Sequence, residues 1–101
     1  MARTTWTEIK ANKLAAMTAD ERRDYERGYA EAQLAVDVGE RVRAAREGAG
    51  LSQRELAARM GTSQAAIARL EAGGVGATLT TLHRVAVAVG MELRVELRPS
   101  A

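Results

Sequence analysis

The chain has 101 residues, no cysteine, 3% aromatic residues and a formal net charge of +2. That length suits one domain with a modest core, which must be built from Ala, Val, Leu and Met, so that burial across a dimer interface would help it. The lack of cysteine excludes disulfides and thiolate metal sites, and no run is long or apolar enough for a transmembrane helix or a signal segment, which makes the cytoplasm the expected location. The charge is unevenly placed: residues 1–37 sum to −1 and residues 38–101 to +3. The second part therefore carries the basic excess that phosphate contacts need.

In chain order, Thr5 or Thr7 is placed to cap a short helix running to about Met17. Trp6, Ile9, Lys13, Leu14 and Met17 fall near one face of it. Trp6 either packs back on its own domain or belongs to a partner-binding arm ordered on contact. Thr18 and Glu21 have capping-box spacing, and Asp20 and Glu21 suit the positive end of a helix dipole. A long helix follows, with Tyr25, Tyr29, Ala32 and Val36 as a narrow apolar stripe opposite Arg22, Arg23, Glu26, Arg27 and Glu31. Gly28 and Gly39 each weaken it by about 1 kcal/mol relative to Ala. It either continues into Val38–Glu47 or kinks near Asp37–Gly39. Val42 and Ala45 point inward from that next segment, which Gly48-Ala49-Gly50 closes.

Residues 51–71, LSQRELAARMGTSQAAIARLE, carry the central motif. Ser52 and Glu55 form a second capping-box spacing, Leu56, Ala57 and Met60 give one apolar face, and Gly61 is a natural stop. Thr62 or Ser63 caps the next helix, whose apolar residues are Ile67 and Leu70 and whose end is Gly73-Gly74. Two helices joined by a short glycine-bearing turn make a helix-turn-helix. On these residues the chain resembles the Cro/C1-type (Xre) helix-turn-helix family of phage and bacterial regulators, over roughly residues 38 to 90. The resemblance implies a mainly α, lambda-repressor-like bundle that binds DNA. It assigns base reading to Gln64, Ala65, Ala68 and Arg69, and phosphate contact with support of the first reader to Gln53. It also implies an ion pair, buried or half-buried, between Arg46 on the first helix of the domain and Glu71 at the end of the recognition helix.

The chemistry of the readers agrees with that assignment. Gln64 can make bidentate contacts to adenine and Arg69 to guanine, while Ala65 reaches only a thymine methyl. Three alanines on this helix suggest few direct base bonds and a share of shape readout. Arg43, Arg54, Ser63 and Thr78 are the further candidates for contacts to the DNA backbone. The glycines of Ala72-Gly73-Gly74-Val75-Gly76-Ala77 offer N–H groups for close approach to a phosphate, but no strand precedes them and no GK[ST] follows, so a nucleotide site is rejected. Thr78 or Thr80 caps the last helix, with Leu79, Leu82, Val85, Ala86 and Val89 inward and Gly90 at its end.

Met91-Glu92-Leu93-Arg94-Val95-Glu96-Leu97-Arg98 alternates apolar and charged residues and reads as a strand. With no other strand in the sequence, it is expected to pair with its own copy across a two-fold axis, with Met91, Leu93, Val95 and Leu97 as the dimerising residues. The expected organisation is an N-terminal helical extension over residues 1–37, a DNA-binding domain over 38–90 and a dimerisation strand over 91–98. This layout resembles the HigA-like antitoxin branch of the family, whose members sequester a HigB/RelE-type ribonuclease toxin and repress their own operon. On that resemblance Trp6, Ile9, Leu14, Tyr25 and Tyr29 are the candidate toxin-binding residues; the alternative is a free-standing regulator with no toxin partner. One histidine, His83, and no cysteine leave no nucleophile–base constellation, so no enzyme, cofactor or metal is expected.

Overall fold

The computed structural model describes residues 5–100, apart from the side chains of Trp6, Thr7 and Leu14. The expected roles of Trp6 and Leu14 therefore lie outside the described residues. Five helices follow one another among the described residues: α1 (Trp6–Ala16), α2 (Ala19–Gly48), α3 (Gln53–Met60), α4 (Gln64–Gly73) and α5 (Leu79–Ala88). The chain divides into two compact units, residues 1–32 and residues 33–101, and α2 contributes to both.

In the first unit Thr5 caps α1. Its hydroxyl accepts from the Glu8 N–H at 3.1 Å, and the Glu8 carboxylate accepts from the Thr5 N–H at 3.0 Å. The Thr18 hydroxyl accepts from the Glu21 N–H at 3.1 Å at the start of α2. The Lys10 ammonium stands 4.5 Å from the centre of the Tyr29 ring, within the range of a cation–π attraction. Tyr25 is half-buried, whereas Ile9 and Tyr29 are exposed.

The helix of residues 19–48 does not kink at Asp37–Gly39, and the glycine there has a packing reason. A Cβ on Gly39 would stand 2.6 Å from both the Leu70 and Glu71 carbonyl oxygens. Only a bare backbone lets α2 come this close to the end of α4. Gly74 works in the same way: it adopts φ of +69° and packs on the Ala35 carbonyl. Its N–H is bonded to the Leu70 carbonyl at 2.9 Å, and the N–H groups of Ala77 and Thr78 close turns within the loop. The loop after α4 thus spends these N–H groups on its own folding rather than holding them out to a phosphate.

The core of the second unit is Val42 from α2, Leu56, Ala57 and Met60 from α3, Ile67 and Leu70 from α4, and Val85 from α5. Leu56, Ile67 and Leu70 are fully buried, each worth about 1.5–3 kcal/mol of transfer free energy. Helix α3 packs on both α4 and α5. Two arginines brace it there: Arg59 donates to the Ala88 carbonyl at 2.9 Å, and Arg84 donates to the Met60 carbonyl. Both α3 and α5 end in a Schellman arrangement around a left-handed glycine. At α3, Thr62 N–H bonds the Ala57 carbonyl and Gly61 N–H the Ala58 carbonyl; at α5, Met91 N–H bonds the Ala86 carbonyl and Gly90 N–H the Val87 carbonyl.

One expectation is corrected, and one is not seen in the single chain. Leu79, read as inward, is 65% exposed, because it opens the first turn of α5 beyond the edge of the core. Residues 91–98 form no strand: among the described residues there is none, and a strand needs a partner for its N–H and C=O groups that this single chain does not offer. The tail instead lines a groove of about 880 Å³ with Leu34 and Val38 of α2 and Leu82 and Val89 of α5. Leu93 is half-buried there, but Met91, Val95 and Leu97 are exposed, Leu97 at 95%. Its charges pair locally, Arg94 with Glu92 at 3.4 Å and Arg98 with Glu96 at 2.9 Å.

Candidate nucleic-acid interface

Helix α4 starts where the sequence placed it because Ser63 takes up one of the N–H groups a helix leaves unbonded. The Ser63 hydroxyl accepts from the Ala66 N–H at 3.1 Å, with Ser63 itself in extended backbone geometry. From this start the 3.6-residue period divides α4 into two faces. Ile67, Leu70 and Glu71 are buried; Gln64, Ala65 and Arg69 are exposed, with Ala68 half-buried. The four residues expected to read bases thus share the outer side of one helix. The alanines leave little bulk there, so Gln64 and Arg69 are the long polar side chains that it offers.

The inner end of α4 is locked to α2. Arg46 donates from Nε to Glu71 Oε2 at 2.7 Å and from Nη2 to Oε1 at 2.9 Å, a two-pronged match of guanidinium to carboxylate. Its Nη1 donates to the Leu51 carbonyl at 2.8 Å, which ties in the turn before α3. Gln53 Nε2 adds a third bond to Glu71 Oε1 at 3.3 Å. The Arg46 and Glu71 side chains are 11% and 4% exposed, so the pair is buried. Burial alone pushes the Glu71 carboxyl up, but the hydrogen bonds from Arg46 and Gln53 and the charges of Arg46 and Arg43 outweigh it and hold Glu71 below the usual carboxylate range. The hydrogen bond to Glu71 raises Arg46 against the opposing effect of its own burial.

The start of α3 is a reciprocal capping box. The Ser52 hydroxyl accepts from the Glu55 N–H at 3.0 Å, and the Glu55 carboxylate accepts from the Ser52 N–H at 3.1 Å. The Ser52 backbone bond, then its hydroxyl, lower the Glu55 carboxyl below its ordinary range. With this turn fixed, Gln53 faces inward to Glu71 and its neighbour Arg54 faces outward. Arg54 Nε donates to Gln64 Oε1 at 3.0 Å. Gln64, the expected first reader, is therefore bonded by Arg54, while Gln53, expected in that supporting role, bonds Glu71 in the buried lock. Gln53 and Arg54 differ by one position, about 100° around the helix, and no sequence signal separates them.

Of the other expected backbone contacts, Arg43 is exposed and pairs with Glu47 at 2.9 Å. Thr78 caps α5, accepting from the Thr81 N–H at 3.1 Å. Both sit in the second unit, with exposed side chains. Sequence reasoning did not find Arg54's bond to Gln64, nor the approach of Gly39 to the end of α4. Among the described residues, no group of three or more His, Cys, Asp or Glu side chains could hold a metal ion, and no helix is long and apolar enough to cross a membrane.

A family profile described as helix-turn-helix, HTH_3, matches residues 42–95, more than half of the chain. The chain belongs to this helix-turn-helix family. It is a DNA-binding transcriptional regulator of the Cro/C1 type, a family that is typically non-enzymatic. Neither curated proteins nor solved structures gave a match. In helix-turn-helix terms α3 is the supporting helix and α4 the recognition helix. The lock between Arg46 and Glu71 sets the recognition helix on the rest of the domain.

Proposed function

We propose that this regulator is a sequence-specific repressor that binds a palindromic operator as a homodimer. We further propose that it acts in the cytoplasm as the antitoxin of a type II toxin–antitoxin pair, represses its own operon and neutralises a HigB/RelE-type ribonuclease toxin. The observation that carries the DNA-binding part is the outer face of α4. Gln64 and Arg69 project from a helix whose opposite side is buried and ion-paired, so they are exposed toward base edges, Gln64 with its Nε2 donors unspent beside its bond to Arg54. Gln64 suits adenine and Arg69 guanine, with Ala65 and Ala68 allowing the helix to approach closely. Arg54, Ser63, Arg43 and Thr78 are assigned to phosphates, which position the domain without reading sequence, while Gln53 serves the lock on Glu71.

One small domain with two long readers binds weakly, and a two-fold dimer placing two α4 helices about 34 Å apart in successive major grooves multiplies both affinity and specificity. The exposed Met91, Val95 and Leu97, together with half-buried Leu93, support pairing of the tail with its copy. The antitoxin role rests on the extension that precedes the DNA-binding unit. It carries exposed Ile9 and Tyr29 and half-buried Tyr25 on its helices, and Trp6 and Leu14 join the proposed toxin-binding set on the sequence alone.

A gel shift with the chain's own promoter region tests the first part. Gln64→Ala/Arg69→Ala should lose the shift with the circular dichroism unchanged, and retained affinity overturns the assignment. For the second part, the protein without residues 1–17 should keep DNA binding and lose the ribonuclease encoded beside it in a pull-down. Absence of any such partner for the full chain leaves a free-standing regulator instead.

A further inference from the structure

The tail after α5 carries its charges on one side. Arg94 reaches Glu92 at 3.4 Å and Arg98 reaches Glu96 at 2.9 Å, and residues two apart share a side only in extended backbone. Met91, Leu93, Val95 and Leu97 alternate with them. Leu93 is half-buried in the groove walled by Leu34, Val38, Leu82 and Val89; Val95 on the same groove is exposed, and Leu97 lies beyond its lining. Among the described residues, no backbone hydrogen bond ties residues 92–98 to the rest of the chain. Both ends of that stretch are closed to a ladder. The Met91 N–H is spent on the Ala86 carbonyl at 2.8 Å, where it finishes α5, and Pro99 has no N–H. Residues 92–98 therefore hold the N–H groups a ladder can use, and their midpoint is Val95.

We infer, building on the proposed pairing of the tail with its copy, that two tails join antiparallel in a single register, with the two-fold axis at Val95. Directly opposite residues in an antiparallel pair share a side, so apolar residues meet apolar ones only if the axis falls on a residue rather than between two. At Val95, Glu92 meets the partner's Arg98 and Arg94 meets the partner's Glu96, each twice by symmetry. Val95 meets the partner's Val95, and Leu93 meets the partner's Leu97. The exposed Leu97 of each copy is thereby laid beside the other's groove. Moving the axis to residue 94 sets Arg94 against the partner's Arg94 and Glu92 against the partner's Glu96. Moving it to residue 96 sets Glu96 against the partner's Glu96 and Arg94 against the partner's Arg98. Like charges directly opposite are destabilising. An axis at residue 93 runs Leu97 and Arg98 into the end of α5, and one at residue 97 drives Pro99 into the ladder opposite Val95. Each one-residue move of the axis slides the copy by two residues, about 7 Å. The charge pattern of the tail thus fixes the spacing at which two α4 helices meet DNA.

Because the protein has no cysteine, single cysteines placed in the full-length chain report which residues face each other. Opposite Cα atoms in an antiparallel pair stand about 4.5–5.5 Å apart, within the span of about 4.4–6.8 Å that a disulfide bridges. After mild oxidation Val95→Cys should run as a disulfide dimer on a non-reducing gel. Arg94→Cys and Glu96→Cys should each cross-link about tenfold less alone, yet join each other when the two proteins are mixed. If either of them cross-links to itself as readily as Val95→Cys, the register is overturned while the pairing of the tails stands. If no tail cysteine cross-links, alone or mixed, the pairing itself falls, and the register with it. Exchanging charges tests the same register without cysteines. Sedimentation equilibrium at low salt should show Arg94→Glu and Glu96→Arg each dimerising about tenfold more weakly than the wild type, and an equal mixture of the two regaining the wild-type affinity as a heterodimer. A mixture no tighter than its components overturns the register.

Discussion

Replacing Glu71 with Leu would leave the Arg46 guanidinium in place, 11% exposed, with only the Leu51 carbonyl and a distant Glu47 carboxylate at 3.8 Å. Breaking one side of a buried ion pair in this way costs about 3–5 kcal/mol. The exposed pair of Arg43 and Glu47, at 64% and 54% exposure, supplies the contrast. It is worth about 0.3–0.5 kcal/mol as an i,i+4 pair in solvent. A unit the size of residues 33–101 has a total stability of about 3–10 kcal/mol. Glu71→Leu should therefore remove a third of it or more and lower the melting temperature by at least about 12 °C. Arg46→Met/Glu71→Leu should recover part of that loss, because apolar groups then fill the site together. The remaining deficit, about 1–3 kcal/mol, belongs to the Leu51 carbonyl left without its donor. Thermal and urea unfolding followed by circular dichroism, with Glu47→Ala as the exposed control, measures all of these. The reasoning is refuted if Glu71→Leu costs no more than Glu47→Ala, or if the double variant is no more stable than the weaker single one.

The two interior glycines of α2 should respond to alanine with opposite signs. Gly28 has open space around its Cβ position, so Gly28→Ala should stabilise by about 0.5–1 kcal/mol. Gly39→Ala should destabilise by about 1–3 kcal/mol, because its methyl meets two backbone carbonyls that cannot rotate away; equal effects in thermal melts would contradict the packing argument. The Glu71 and Glu55 carboxyls are held below their usual range in the folded chain, so the unfolded chain takes up protons first. The stability they contribute is present at neutral pH and drains away as pH falls below about 4.3. Urea titrations at pH 7 and pH 3 should show a smaller acid loss for Glu71→Gln than for the wild type, and an equal loss would remove Glu71 as a source. If the chain dimerises through its tail as proposed, ending it after Gly90 should leave a monomer in light scattering where the full chain is a dimer; a dimer that survives would clear residues 91–98 of that role.

Much of the interface was legible because its signals are local. Ser52 with Glu55, Ser63 ahead of Ala66 and Thr78 ahead of Thr81 act over three residues, and Gly61 and Gly90 close helices over five. A helix start needs only such a donor–acceptor match, so the sequence narrows each to one or two residues, Thr62 or Ser63 for α4 and Thr78 or Thr80 for α5. The apolar period likewise told which sides of α3 and α4 turn inward, and Leu56, Ile67 and Leu70 are the most buried side chains. The same locality leaves the tail undecided. Perfect alternation makes residues 91–98 able to form a strand, but a strand exists only with a partner, and the period of the chain says nothing about whether one is present. Leu79 failed for a related reason, since the helical period continues past the edge of the core.

By itself, then, the sequence determined the helices from α3 to α5, their caps, the outer face of α4 and membership of a DNA-binding class, all of which follow from spacing within a few residues. Only the tertiary structure decided which of two neighbouring residues, Gln53 or Arg54, meets Gln64, and why Gly39 is a glycine. Those answers depend on where a second helix passes in space. Residues 10 to 32 positions apart along the chain meet there by packing, and no local period encodes the meeting.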